Sequence, residues 1–198
     1  MKLYLTALST VFIMSIFILL WGRSKTWPIL LTVLDNFFLS LKSEISHHRL
    51  MSILIEITSL GSATIIGLGG FISFIAFILS QQYLKAILIT IGSCSGILGT
   101  YLKKWIGKIR PENSQGYTFG SSFPSNHTLM SSSFYPLLYG LNFPHTFNYF
   151  NLFFLLVSLS LPLWIGISRI VLRAHFFSDV LAGWLLGGTI AWACLYVQ

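Results

Sequence analysis

The chain has 198 residues, of which 55% are hydrophobic and 9% are charged, and its formal net charge is +7. Soluble domains carry roughly 25% charged residues, so this chain has too few to cover a globular surface in water. The composition therefore excludes a soluble fold, a disordered chain and a nucleic-acid-binding module. It predicts an integral membrane protein with a single domain, residues 1–198.

Five apolar segments reach the length of about 20 residues that a helix needs to cross a bilayer. They are residues 3–21, 59–80, 84–102, 147–171 and 176–197. The first is longer than the apolar core of a signal peptide and has no small-residue cleavage site, so we expect an uncleaved anchor. A shorter sixth span, residues 125–140, is rich in hydroxyl groups and should pack inside the bundle. The sequence thus predicts an all-α bundle of six transmembrane helices.

An amphipathic segment, residues 28–42, lies between the first and second spans. Leu31, Leu34 and Phe38 recur in it at helical spacing, and the polar Asp35 is assigned a position outside that apolar stripe. The segment is about 15 residues long, which is too short to cross the bilayer. It therefore predicts an interfacial helix.

Pairs of glycines four residues apart occur in two of the predicted spans. Gly92 and Gly96 form one pair, and Gly183 and Gly187 form the other. This spacing places both glycines of a pair on one side of a helix, where they permit close approach of a neighbouring backbone. We expect these pairs to mark helix contacts and assign them no chemistry.

The basic residues are distributed very unevenly. Six alternating spans leave only Lys2 and Lys85 of the twelve on one side of the membrane, and the positive-inside rule then puts the other side in the cytoplasm. Several of the remaining ten, however, crowd into residues 103–110 and 169–173, near two histidines and an aspartate. Ionisable groups at membrane depth are costly unless they are paired or hydrated, so this cluster predicts a functional site.

The cations of this cluster suit a phosphate group. Lys103 supplies a point charge, while Arg110 and Arg169 supply planar guanidinium groups that match a tetrahedral dianion. Lys108 is assigned a weaker part, since it raises the local concentration of anions without touching the transferred group.

A helix start is predicted at the sixth span, where a proline precedes Ser125. The backbone N–H groups of Asn126 and His127, together with the positive end of the helix dipole, would then face an anion. The Ser125 hydroxyl is expected to add a further donor. This turn therefore completes the predicted phosphate site.

Two histidines suit a covalent mechanism in two steps. His175 and Asp179 are four residues apart and share a face if both lie on one helix, so the carboxylate can hold one imidazole nitrogen and leave the other to attack phosphorus. His127, at the predicted helix start, is placed to protonate the leaving alkoxide and later to activate water.

Three motifs, Lys-x6-Arg-Pro, Pro-Ser-x-His and Ser-Arg-x5-His-x3-Asp, occur in this order within residues 103–179. Together they resemble the type 2 phosphatidic acid phosphatase superfamily of membrane lipid phosphatases. The resemblance implies a phosphomonoesterase or diphosphatase that needs no metal or cofactor and forms a phosphohistidine. It implies that His175 is the nucleophile, Asp179 its partner and His127 the general acid. The implied phosphate ligands are Lys103, Arg110, Ser125 and Arg169.

The family usually has glycine where this chain has Asn126. Glycine lets a backbone approach an anion closely, and asparagine is the next most tolerant of the same conformations. Its side-chain amide can also donate to phosphate. We expect activity to be retained, with an effect of Asn126 on rate or on substrate size.

The resemblance allows several substrates: undecaprenyl diphosphate, phosphatidylglycerophosphate, phosphatidic acid or a lipid A phosphate, with the short chain favouring the first by analogy. It implies a multi-pass protein of the cell (inner) membrane whose site faces the extracytoplasmic side, against the charge count. The predicted partners are the lipid and the bilayer, with no nucleic acid.

Two alternative functions use the same residues. One is an anionic-lipid-binding or lipid-flipping protein, which needs neither His175 nor Asp179. The other is a vanadate-dependent haloperoxidase-like enzyme, a class whose members are soluble.

Overall fold

A computed structural model describes residues 29–40, 48–111, 120–143 and 148–198. All regular secondary structure in these ranges is α-helical, which confirms the predicted all-α class, whereas the count of six spans stays a prediction. The first predicted span, residues 3–21, lies outside the described residues. The described helices are α1 Ile29–Ser40, α2 His48–Ser59, α3 Ala63–Leu79, α4 Tyr83–Ser93, α5 Ser95–Ile106, α6 Asn126–Asn142, α7 Tyr149–Val171 and α8 Phe177–Val197.

Four helical segments of the described chain are long and apolar enough to cross a membrane. They are Arg49–Leu79, Tyr83–Ile106, Tyr149–Val171 and Phe177–Val197. The first of them begins earlier than the predicted span at residues 59–80, because α2 and α3 form one apolar segment that is interrupted only by a turn at residues 60–62. Large apolar side chains such as Phe71 and Ile72 remain exposed on these helices, as lipid contact requires.

Helix α6 corresponds to the predicted sixth span, residues 125–140, and lies inside the bundle. It contacts α3, α4, α5, α7 and α8. Its serines are buried and bonded to neighbouring helices: the Ser133 hydroxyl donates to the Gly92 carbonyl at 2.8 Å and lies 2.6 Å from the Ser95 hydroxyl. The prediction that this hydroxyl-rich segment packs inside is confirmed. The segment is not among the four helices that qualify as spans by length and hydropathy.

Glycines bring α6 close to the helices on either side of it. A Cβ atom at Gly183 or Gly187 of α8 would collide with the backbone of α6, and a Cβ atom at Gly92 or Gly96 would collide with α6 side chains. The predicted close contacts at both glycine pairs are therefore confirmed. The contacts of Gly183 and Gly187 hold α8 against the N-terminal half of α6.

Helix α1 covers most of the predicted amphipathic segment and packs against the start of α8. Phe38 stacks on Phe177, with ring centroids 4.8 Å apart. Asp35 is only 8% exposed and lies on the same buried side as Leu31. Its assignment outside the packed stripe was therefore wrong, because the carboxylate binds the first turn of α8 instead of facing solvent. The position of α1 at the membrane interface stays a prediction.

One end of the bundle gathers the C-terminal ends of α5 and α7, the N-terminal ends of α6 and α8, and the α2–α3 turn. The N–H of Ser125, just before α6, donates to the Asp179 carbonyl in α8 at 3.0 Å. Arg169, in the last turn of α7, reaches Thr58 near the end of α2. Chain segments that are distant in sequence therefore meet at this end, and they are the segments that contain the three motifs.

Candidate active site

His175 and Asp179 form a buried pair at the start of α8. The helix begins at Phe177, so His175 precedes it and the two residues do not share a helical face as their spacing predicted. The carboxylate instead folds back over the first turn, where its Oδ2 atom accepts the N–H of Phe176 at 3.0 Å. This places Oδ2 3.6 Å from Nδ1 of His175. His175 is 2% exposed, so its ring is fixed by its surroundings.

The imidazole of His175 is neutral at pH 7. Burial lowers its pKa to about 4, although the neighbouring Asp179 acts in the opposite direction. Nη1 of Arg110 lies 3.4 Å from Nε2 of His175. A guanidinium group only donates hydrogen bonds, so we assign the lone pair to Nε2 and the proton to Nδ1, towards Asp179. This is the tautomer that a nucleophilic histidine requires, with a basic nitrogen directed towards the cations.

Backbone carbonyls hold the guanidinium of Arg110 beside His175. Nη1 donates to the Ala174 carbonyl at 2.7 Å, Nε donates to Gly120 at 3.0 Å, and Nη2 donates to Ser121 at 3.3 Å. These acceptors are uncharged, so they fix the orientation of the planar group without neutralising it. Arg110 is thus oriented for an anion.

Lys103 is held by the same short segment. Its Nζ atom donates to the carbonyls of Ser121 at 2.9 Å and Ser122 at 3.2 Å. The N–H of Ser122 in turn donates to the Lys108 carbonyl at 2.8 Å, which ties this segment to the chain just before Arg110. Residues 120–122 therefore orient two of the three predicted cations.

Arg169 lies at the end of α7 and is 9% exposed. Its Nη1 atom is 3.4 Å from the Thr58 hydroxyl, and its buried Nε has no hydrogen-bond partner among the described residues. Its carbonyl accepts the N–H groups of Ala174 and His175, so the same residue also fixes the turn that carries the histidine. A buried donor of this kind is satisfied when an anion binds next to it.

The first turn of α6 faces this cluster, with Ser125 as the N-cap residue, as predicted. The Ser125 hydroxyl accepts a hydrogen bond from the Thr128 hydroxyl at 2.9 Å and does not cap the first turn. The N–H groups of that turn are therefore left to an anion, as helix N-termini commonly are. His127 is on this turn. The side chains close enough to interact with it electrostatically are those of Arg169, His175, Lys103 and Arg110.

The side chain of Asn126 points away from the cations, towards α5. Its Nδ2 atom donates to the Thr100 hydroxyl at 3.1 Å and to the Gly96 carbonyl at 3.4 Å. It also lines a cavity of about 550 Å³ together with Gly67 and Met130. The amide is engaged by α5, so what Asn126 offers an anion in this arrangement is its backbone N–H.

The structure thus brings most of the predicted site residues together. Three cations, the start of α6 and a neutral imidazole surround one region, an arrangement that can bind a tetrahedral dianion and attack it with Nε2 of His175. The Ser125 hydroxyl is fully buried and bonded within its own turn. The side chains that converge are those of Lys103, Arg110, His127, Arg169, His175 and Asp179.

Two residues of this region were not recognised from the sequence. Lys108 was expected only to attract anions, yet its Nζ atom donates to Oδ1 of Asp179 at 2.8 Å. Asp35 bonds the first turn of α8 through Ser178. The position of Lys108 in the basic stretch 103–110 placed it near the site but gave no sign of its contact with Asp179. No sequence signal connects Asp35 to α8.

Within the described ranges, no group of three or more histidine, cysteine, aspartate or glutamate side chains is arranged to hold a metal ion. The chemistry discussed below uses side chains of the chain itself. Metal independence stays a prediction.

Comparisons with known proteins agree with the motifs. The family model described as the PAP2 superfamily matches residues 82–198. Over 118 residues the chain is 30% identical to the lipid A 1-phosphatase of Rhizobium etli, which covers 54% of this chain and 47% of that protein. Over 95 residues it is 34% identical to phosphatidylglycerophosphatase B of Bacillus subtilis, which covers 46% of each. The chain therefore aligns with about half the length of these curated relatives.

A solved structure has a similar fold over almost the whole chain. It is the crystal structure of a transmembrane PAP2-type phosphatidylglycerolphosphate phosphatase from Bacillus subtilis, with a TM-score of 0.74 and 21% sequence identity. The match covers 94% of this chain and 93% of the other. At this identity the likeness establishes the architecture of the bundle and nothing about its substrate.

Proposed function

Because the chain belongs to the PAP2 superfamily of membrane lipid phosphatases, we propose that it hydrolyses a phosphate monoester or a diphosphate of a membrane lipid. The observation that carries this proposal is the placement of His175. Its neutral imidazole has Asp179 on the Nδ1 side and the guanidinium of Arg110 on the Nε2 side. Undecaprenyl diphosphate, phosphatidylglycerophosphate, phosphatidic acid and a lipid A phosphate are the candidate substrates.

Binding places the phosphate among Lys103, Arg110 and Arg169. A phosphate oxygen replaces Nε2 of His175 as a neighbour of Nη1 of Arg110, and this exchange uncovers the lone pair. The buried Nε of Arg169 gains an acceptor, and the N–H groups at the start of α6 bind a further oxygen. The lipid tail remains in the bilayer.

In the first chemical step, Nε2 of His175 attacks phosphorus. The P–N bond forms as the bond from phosphorus to the leaving oxygen breaks, and His127 donates a proton to that oxygen. The negative charge of the bound phosphate favours the protonated imidazole that this donation requires. Oδ2 of Asp179 lies 3.6 Å from Nδ1 of His175, which has no hydrogen-bond partner among the described residues, and the carboxylate stabilises the positive charge of the phosphorylated ring.

In the second step, water attacks phosphorus and His127, now neutral, takes the proton that water loses. The P–N bond breaks and returns a neutral His175. One water is consumed and one inorganic phosphate is released. The second product is a lipid alcohol, or a lipid monophosphate if the substrate was a diphosphate.

The proposed location is the cell (inner) membrane, with the site open to the extracytoplasmic side. The basis is the family resemblance, and the uneven basic charge is attributed to the site itself, because Lys103, Arg110 and Arg169 all take part in it. A cysteine introduced beside Gln115 and labelled with a membrane-impermeant reagent in intact cells tests the orientation. Labelling supports an extracytoplasmic site, and protection until the cells are opened contradicts it.

The activity is tested with purified protein in detergent, supplied with the four candidate lipids in the presence of EDTA. Release of inorganic phosphate from at least one lipid, and its loss in His175→Ala, is the expected result. His145→Ala serves as a control, because the sequence places this histidine in the loop on the opposite side. Binding without release, or release unchanged by His175→Ala, would favour the anionic-lipid-binding alternative. Loss of activity with EDTA would contradict metal independence.

A further inference from the structure

A lysine lies on the side of Asp179 that does not face His175. Nζ of Lys108 donates to Oδ1 of Asp179 at 2.8 Å and to the Ser178 hydroxyl at 2.8 Å. It also sits 4.4 Å from the centroid of the Phe176 ring. One carboxylate oxygen therefore binds an ammonium, while the other, Oδ2, faces the imidazole. Lys108 therefore restrains the Asp179 carboxylate from the side opposite His175.

A second carboxylate completes this cluster from a distant part of the chain. Oδ1 of Asp35 accepts the Ser178 N–H at 2.9 Å, and Oδ2 accepts the Ser178 hydroxyl at 2.7 Å. Oδ2 also lies 3.5 Å from Nζ of Lys108. Asp35 thus binds Ser178 in the first turn of α8 across 143 residues of sequence, and it shares the lysine with Asp179.

The charges in this cluster explain why two carboxylates are needed. Asp179 alone would present one negative charge to the imidazole, but an ammonium 2.8 Å away cancels most of it. Asp35 restores a net charge of −1 to the group formed by the two carboxylates and the lysine. A net anion behind the ring stabilises the positive charge that the imidazole acquires when it is phosphorylated.

From this geometry we infer that Asp35 and Lys108 are positioning residues for the reaction, acting on His175 through Asp179. The inference deepens the proposed function and rests on it. Neither residue is needed to touch the phosphate: Lys108 holds Asp179, and Asp35 holds both Lys108 and the helix turn that carries Asp179.

The imidazole is otherwise surrounded by cationic or neutral groups. Among the described residues, Asp179 is the anion next to the ring. The groups that face His175 from the elements around it are Lys103 of α5, Arg110 of the following segment, His127 of α6, Arg169 of α7 and Asp179 of α8. A change in the charge of Asp35 or Lys108 is therefore expected to change the pKa of His175.

Steady-state kinetics give the first test. Lys108→Met is expected to lower kcat about 100-fold, since a misplaced reacting group costs this much. Asp35→Asn is expected to lower kcat about tenfold, with KM little changed in both variants because neither side chain binds substrate. Lys108→Arg keeps the charge and should recover most of the loss. The control is Glu56→Gln, an exposed charge on α2, which should behave like the wild type.

The double variant tests whether Asp35 acts through Lys108. Asp35→Asn should lower kcat by less in the Lys108→Met background than it does alone, since coupled residues are not additive and only the Ser178 contacts of Asp35 then remain. Effects that multiply in full would show that the two residues act independently and would overturn the coupling through Lys108. Unchanged kcat in both single variants of an active enzyme would overturn the inference. Thermal unfolding checks that each variant folds, and Lys108→Arg and Asp35→Asn remain informative if Lys108→Met does not.

A titration separates this inference from the proposed function. In protein labelled with ¹⁵N-histidine, the His175 signal is identified by its absence in His175→Gln. Asp35→Asn should lower the pKa of His175, because it removes a negative charge, and Lys108→Met should raise it. Opposite shifts support the inference even if no lipid is hydrolysed, in which case only the proposed function fails. Equal pKa values in all three proteins would overturn the inference whatever the activity.

Discussion

Nη1 of Arg110 lies 3.4 Å from Nε2 of His175, so the residue proposed to hold the phosphate also covers the nitrogen proposed to attack it. Without substrate, Nη1 of Arg110 points its N–H at the lone pair of Nε2 and disfavours protonation of that nitrogen. With substrate, a phosphate oxygen is a better acceptor for a charged donor than a neutral imidazole nitrogen. Arrival of the phosphate therefore uncovers the nucleophile where the phosphorus atom is bound.

Arg110→Lys is predicted to reduce kcat/KM about 10- to 100-fold, the range expected for losing a hydrogen bond to a charged group. Lysine keeps the charge but cannot span the carbonyls of Gly120, Ser121 and Ala174 as the guanidinium does. Steady-state kinetics on the preferred lipid measure the change. Arg49→Lys, an exposed position at the start of α2, is the matched control. A normal kcat/KM in Arg110→Lys would show that the planar fork is not used.

His175→Ala and His127→Ala are predicted to differ in whether phosphorylated enzyme forms. His175→Ala should form no phosphorylated enzyme, because it lacks the nucleophile. His127→Ala should still form phosphorylated enzyme, but both its formation and its hydrolysis should be slow, since His127 serves as acid in the first step and as base in the second. With a lipid labelled at its phosphate, an alkaline quench preserves phosphohistidine for counting. Label retained by His175→Ala would mean that a different residue is phosphorylated.

The pH dependence follows from the lowered pKa of His175. The reactive form is the neutral imidazole, which predominates above a pKa of about 4 and is lost as the pH falls through that value. We therefore expect protonation of His175 to lower kcat/KM only near pH 4, well below the ordinary histidine pKa of about 6.5. The pH at which kcat/KM falls should be the same for a lipid monophosphate and a lipid diphosphate if the ionising group is on the enzyme. It should differ between the two substrates if the ionising group is the substrate phosphate. A fall in kcat/KM near pH 6.5 on the acidic side with both substrates would contradict the lowered pKa of His175.

The three motifs predicted a cluster of side chains at one end of the bundle, because each motif holds its residues at a fixed spacing in the sequence, and the catalytic roles of these residues stay a prediction. The sequence could not predict the part of Asp35, because the contact with Ser178 bridges distant segments and an aspartate on an amphipathic helix ordinarily faces solvent. The direction of the Asn126 side chain also depends on tertiary contacts, namely Thr100 and the Gly96 carbonyl of α5. A sequence pattern predicts only contacts between residues that are near each other along the chain. The contact of Asp35 with Ser178 and the direction of the Asn126 side chain depend on how α1 packs on α8 and α5 packs on α6.

Asn126→Gly is predicted to act mainly on stability. The variant loses the bonds from Nδ2 to Thr100 and Gly96, and it replaces asparagine by glycine at the first residue of α6, where the difference in helix propensity adds only a few tenths of a kcal/mol. KM should stay close to the wild-type value, because the side chain points to α5 and only the backbone N–H faces the phosphate site. Thermal unfolding and kinetics measure the two effects, with Thr100→Val as the comparison that removes one partner only. A large rise in KM would show that the amide turns towards the phosphate when substrate binds.

The contact between α6 and α8 gives a prediction about folding with an internal control in the same helix. A Cβ atom at Gly187 would collide with the Leu129 carbonyl and with Ser132 of α6, whereas a Cβ atom at Gly188 meets nothing within 4 Å. Gly187→Ala should therefore destabilise the protein by about 1–3 kcal/mol, the usual effect of overpacking, and should lower activity by displacing the first turn of α6. Gly188→Ala should be neutral or slightly stabilising, since alanine is the better helix former. Thermal unfolding in detergent compares the two variants, and equal melting temperatures would show that α6 and α8 are not in close contact at this position.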